Sequence, residues 1–151
     1  MELRPIIVIQ DMVNTKPILK KTQCLKWLKP VIDKNAEITI RIVDNNESKV
    51  LNNLYCKKKY PTNVLAFLVD DSFHIIGDIV LCAPVIEKEA IEQSKSLEAH
   101  YAHLIIHGAL HLYGYDHKDE KDAYIMEAQE IKILTSLGYR NPYLIEENKS
   151  Q

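Results

Sequence analysis

Apolar residues recur along this chain in two rhythms, and the switches between them mark out its elements. Pro5 to Met12 (PIIVIQDM) is a short β-branched run ending in polar residues, the pattern of a strand. Ile18, Leu19, Leu25, Trp27 and Leu28 then recur among lysines at helical spacing, which predicts an amphipathic helix over Leu19 to Leu28, after Pro17 and stopped near Pro30. Ala36 to Asp44 returns to a period of two, with Ile38, Ile40 and Ile42 alternating with Glu37, Thr39 and Arg41 in a strand with one buried face. Asn45 or Asn46 is placed to cap a short helix through Leu51 and Leu54. Val64 to Val69 and His74 to Leu81 flank Asp70-Asp71-Ser72, which reads as an antiparallel hairpin.

From Pro84 the period is helical as far as Leu137, and a polar tail follows Gly138. Helices are expected near Val85 to Gln93, over Leu97 to Tyr113 with Ser96 as N-cap, and over Asp119 to Leu137 with Gly138 as C-cap. This order predicts an α+β fold in which a small mixed β-sheet of about four strands packs with about five helices in a single domain, residues 1–151.

Composition narrows the class. The 151 residues are 46% hydrophobic and 26% charged, enough for one domain to build a core without disulfides. Cys24, Cys56 and Cys82 form no CxxC pair and read as reduced thiols, and no apolar run reaches the ~18 residues a membrane span needs. A cytoplasmic protein with no membrane partner is expected. The net charge of -2 hides an asymmetry. Residues 16–34 carry Lys16, Lys20, Lys21, Lys26, Lys29 and Lys34 against Asp33 alone, and Lys57, Lys58 and Lys59 follow. Residues 116–147 are acidic, with Glu146 and Glu147 among their eight acids. A local basic surface can hold a nucleic-acid backbone even when the total is slightly acidic.

The chemistry concentrates in His100 to His117, HYAHLIIHGALHLYGYDH, which holds five of the six histidines. No charged residue lies between Tyr101 and Tyr115, so this helix is apolar nearly all round and belongs in the core. His100, His103, His107 and His111 fall within about 80° of one another on it. His107 and His111, at i and i+4, can point two imidazoles at one ion. On a continued helix His117 would lie about 9 Å beyond His111, too far to share that ion. Gly114 is where a left-handed cap would reverse the chain and bring His117 back. H-x3-H-x5-H with this Gly is the ligand spacing of a zincin-like three-histidine metal site. In zinc peptidases of that spacing the residue after the first His is a general-base Glu, and here it is Gly108. Three neutral ligands leave the ion its full charge and an open position, which suits phosphate ester hydrolysis better than amide hydrolysis.

HGALHLYGYDH resembles the motif of the YbeY family, bacterial single-strand endoribonucleases of ribosomal RNA maturation. LNNLYCKKKYPTNVLAF, IIGDIVLC, VIEKEA with LEAHYAHL, and MEAQE with LGYRNPY extend the resemblance over about residues 36–143. It implies an α+β fold, Zn2+ on His107, His111 and His117, and cytoplasmic work on the 3' end of small-subunit ribosomal RNA. It also implies a part in ribosome quality control. The implied partners are single-stranded RNA, the small ribosomal subunit and its associated proteins. Nickel, cobalt or iron would also suit three imidazoles. Asp78 matches the family's L-G-D Asp, with a role in positioning the attacking group. Lys58 matches the family's Lys in Y-R-x-K, which implies a catalytic role for it beside Asp78, and Lys57, Lys58 and Lys59 are the expected backbone-binding residues. The family's Arg, tied to RNA cleavage, falls at Cys56. A thiol cannot clamp a phosphate as a guanidinium does, so a non-cleaving ribosome-assembly factor with a structural metal is the alternative reading.

His100 and His103 are expected to be core groups bonded to backbone or carboxylate, His74 structural or exposed, and Asp116 a turn former. Glu127 and Glu130 are expected on a solvated or salt-bridged helix face.

Overall fold

Ile38, Ile40 and Ile42 leave the sheet on one face, and the core forms there. The computed structural model describes residues 4–13 and 19–144, so the readings of Lys16, Pro17, Ile18, Glu146 and Glu147 lie outside the described residues. The strands are β1 (Ile6–Asp11), β2 (Glu37–Val43), β3 (Val64–Asp70) and β4 (Ile76–Cys82), in the order β1-β2-β4-β3. β1 and β4 both run parallel to β2, while β3 pairs antiparallel with β4 at the edge. The sheet is thus mixed, and the hairpin read around Asp70-Asp71-Ser72 is present with a register shift between Leu68 and Asp70.

The helices are α1 (Lys21–Leu28), α2 (Asn45–Cys56), α3 (Ala83–Glu92), α4 (Leu97–Leu112) and α5 (Glu120–Ser136). The cap of α2 is Asp44, not Asn45 or Asn46. Its extended backbone lets the carboxylate accept from the Glu47 N–H at 2.9 Å. Ser96 caps α4 as expected, accepting from the Ala99 N–H at 3.1 Å.

α4 is the central helix. Tyr101, Ala102, Ile105, Ile106 and Ala109 are buried, and it lies against β3 and β4. A Cβ added to Gly108 would come within 3.0 Å of Ile79, and one added to Gly77 within 2.8 Å of Leu112. Gly77 and Ile79 therefore face α4, and the residue between them, Asp78, faces the other way. On that second face Val43, Val80 and Cys82 pack with Leu51, Leu65, Phe67 and Val85. Among the described residues no helix is long and apolar enough to cross a membrane.

Candidate metal centre

α4 stops where the spacing said it must. The Tyr115 N–H donates to the Leu110 carbonyl and the Gly114 N–H to the His111 carbonyl, both at 3.1 Å, with Gly114 at φ +95. This doubly bonded reversal needs the left-handed region that Gly enters at no steric cost. Asp116 then accepts from the His117 N–H at 2.7 Å, which is the turn role read for it. The result brings one ring nitrogen each of His107, His111 and His117 to within 4.8 Å of one another.

These residues fit a metal ion on three counts. First, the Nε2 atoms of His107 and His111 are 3.2 Å apart. Two nitrogens sharing a tetrahedral ion at a Zn–N distance near 2.05 Å would be separated by about 3.3 Å. Second, His107 and His111 are half-buried on a rigid helix, while His117 is exposed and leaves an approach from solvent. Third, burial first, and then the charges of His107 and His117, lower the pKa of His111, which favours the neutral ring that ligates.

Glu130 sets the chemistry of His107: of the solvated or salt-bridged face expected for it, the pairing is present, with His103 and His107, but the solvent exposure is not. The residue is wholly buried. Its Oε2 accepts from His107 Nδ1 at 3.1 Å, and its Oε1 accepts from His103 Nε2 and from the Tyr143 hydroxyl, both at 2.6 Å. Burial pushes this carboxyl up, but hydrogen bonds from His103 and His107, the His107 charge and the Tyr143 hydrogen bond together bring it down from 4.5 to about 2. An ionised carboxylate only accepts, so His107 must carry a proton on Nδ1, and when the ring is neutral this leaves Nε2 bare toward His111 and His117. α5 had shown the signal: Glu130 sits in the apolar stripe of Met126, Ile133 and Leu134, at spacings of four and three.

A pH dependence follows. The folded value lies below the unfolded one, so the contribution of Glu130 is complete above about 4.5 and is lost as pH falls toward 2. Acid unfolding of the metal-free protein should show this loss in that window. Glu130→Gln should flatten it and lower stability at neutral pH; an unchanged acid limb would refute the assignment.

The other histidines behave as structural groups. His100 is buried and donates to Glu89 at 2.9 Å, and His74 pairs with Glu37 at 2.7 Å. The three metal-site histidines line a cleft of about 480 Å3 with Cys56, Lys58 and Tyr60. Lys57, at φ 58, turns the chain at the end of α2, and of the three lysines only Lys58 lines this cleft. Lys57 and Lys59 are exposed outside it. Asp78 is not brought to the site: strand alternation puts its side chain across the sheet from α4, and the role expected for it in positioning the attacking group is withdrawn.

A mixed four-stranded sheet packed on a central helix that carries two histidines of a three-histidine cluster, the third returned by the turn after it, beside a strand-edge cleft, defines an α+β protein with a candidate metal centre. Residues 10–138 match the family Endoribonuclease YbeY, and the chain belongs to that family. It is 48% identical over 141 residues to Endoribonuclease YbeY of Nitrosomonas europaea, covering 93% of this chain and 86% of that protein. Endoribonuclease YbeY of Nitrosomonas eutropha is 53% identical over 122 residues, covering 81% and 86% respectively. In fold, the chain resembles the solution structure of TM1509 from Thermotoga maritima, with a TM-score of 0.57 at 23% identity over 95% of this chain and 99% of that one.

Proposed function

We propose that this chain is a metal-dependent endoribonuclease that cuts single-stranded RNA, in the maturation of the 3' end of small-subunit ribosomal RNA in the cytoplasm. The observation that carries the reading is the three-histidine cluster opening into the cleft that Lys58 shares. The names of its relatives supply the substrate class.

His107, His111 and His117 would hold the ion, Zn2+ being the best match to three imidazoles near tetrahedral spacing. When bound, such an ion is a Lewis acid that activates water and polarises a phosphate oxygen. The chain supplies the rest. Glu130 keeps His107 in the ligating tautomer. Lys58 supplies a positive charge for the RNA backbone at the cleft, and Gly108 leaves no side chain to act as a peptidase base. The ribosomal small subunit and its proteins are the partners this reading requires.

Cys56 favours a second reading, because a thiol lines the cleft where the family's pattern has Arg: a ribosome-assembly factor that binds RNA without cutting it. Cleavage of a labelled single-stranded RNA by wild type, Lys58→Ala and Cys56→Arg separates the two. Lys58→Ala should raise KM roughly fivefold to tenfold, the effect of one solvent-exposed charge-assisted contact of about 1 kcal/mol. Robust wild-type cleavage that Cys56→Arg leaves unchanged shows that the lysine suffices. Absence of cleavage in metal-loaded wild type, restored by Cys56→Arg, establishes the assembly-factor reading.

A further inference from the structure

The segment after α5, Leu137-Gly138-Tyr139-Arg140-Asn141-Pro142-Tyr143, belongs to the motifs of the chain that the cleft does not use. It is fastened at both ends. A second left-handed glycine, Gly138 at φ +95, reverses the chain, with the Tyr139 N–H donating to the Leu134 carbonyl at 2.9 Å. Tyr139 then takes a hydrogen bond from Trp27 Nε1 at 3.0 Å and donates to Glu98 at 2.8 Å, which ties the segment to α1 and α4. At the far end the Asn141 side chain accepts from the Tyr143 N–H at 2.8 Å and sets the turn that aims the Tyr143 ring inward. The phenol lands on Oε1 of Glu130, the carboxylate whose other oxygen holds His107.

We propose that Tyr143 is a positioning residue for the metal centre: its hydroxyl fixes the Glu130 carboxylate so that Oε2 stays on His107 Nδ1 and His107 Nε2 stays free to ligate. The inference rests on the reading of His107, His111 and His117 as metal ligands. A buried carboxylate takes the orientation that satisfies most donors. Oε1 is occupied by two donors at 2.6 Å, His103 and Tyr143, while Oε2 has the longer bond to His107 at 3.1 Å. Tyr143 also stands edge-on to the His103 ring, with centroids 5.4 Å apart, and so holds the second donor in place. Loss of the hydroxyl leaves Oε1 half satisfied and frees the carboxylate to rotate away from His107.

The geometry predicts a loss that is not a packing loss. Tyr143 is 40% exposed and borders, with His103, a cavity of about 900 Å3, so its ring contributes little to the core. Tyr143→Phe keeps the ring and removes only the hydrogen bond.

The test measures Zn2+ affinity of the full chain by competition with a chromophoric chelator, together with the visible spectrum of the Co2+ form and thermal unfolding of the metal-free protein. Tyr143→Phe should weaken Zn2+ binding about tenfold, the lower end of the range for a partner acting through a ligand. It should alter the Co2+ spectrum and lower the metal-free melting temperature by only a few degrees, the cost of the one charge-assisted hydrogen bond lost from the Glu130 carboxylate. Tyr124→Phe, at an exposed site on α5, should change none of these. Wild-type affinity and spectrum in Tyr143→Phe would overturn the proposal, as would a loss matched by Tyr124→Phe. His111→Ala separates the two levels: if it binds Zn2+ as well as wild type, the ligand reading itself fails. If it loses the ion while Tyr143→Phe keeps wild-type affinity, only the positioning role fails.

Discussion

His111→Ala should lose its metal and its RNA cleavage together. The side chain is half-buried on α4 with its Nε2 3.2 Å from that of His107, and its ring centroid lies 5.0 Å from that of His117, so it forms one corner of the three-histidine cluster. Removing it leaves two nitrogens for an ion that favours four partners. Affinity should fall by more than the roughly hundredfold that loss of a mere outer-sphere partner can cost. The substitution removes no core packing of the size of Ile105 or Ile106, so the fold should survive, as circular dichroism would show. Metal content by elemental analysis and cleavage of single-stranded RNA are read on the same preparation. A metal-free variant that still cleaves at the wild-type rate would contradict the assignment.

Gly108→Glu should fail to make a peptidase and should damage the fold instead. This position carries the general-base Glu in zinc peptidases of the same histidine spacing, so the substitution restores their pattern on paper. In this protein α4 lies so close to β4 that a Cβ at 108 would sit 3.0 Å from Ile79 Cγ2, and residue 108 is buried. Overpacking and a carboxylate brought to that contact together should cost at least about 3 kcal/mol, a fall of roughly 10 °C in Tm for a domain of this size. Gly108→Ala should cost less, because only the methyl must be fitted. Wild-type Tm with new turnover of a peptide panel would show that the close approach of α4 is not what excludes a base here.

How much of this was legible in the sequence follows from how local each signal is. The histidine stripe, the Gly114 reversal and the return of His117 all lie within eighteen consecutive residues, and periodicity plus one glycine suffices to place them. The β3–β4 hairpin was equally local. The parallel pairing of β1 and β4 with β2 was not read, because no short-range pattern records which distant strands become neighbours. Asp78 misled for a related reason: the L-G-D resemblance put it at the right strand, but only the register against α4 reveals which face it takes. Glu130 lies 23 residues from His107, and a lone acid in an apolar stripe reads equally as a surface group until its partners on α4 are known. Tyr143 was one step further removed, since its meaning depends on Glu130.

The central claim is that the three-histidine cluster holds the ion on which RNA cleavage depends. It is tested most directly by stripping the protein with chelator and titrating Zn2+ back while following bound metal and cleavage of a labelled single-stranded RNA in the same samples. Cleavage should be absent at the start, rise in proportion to bound metal, and level off at one ion per chain. Full cleavage by the stripped protein, or none at full occupancy, would contradict it.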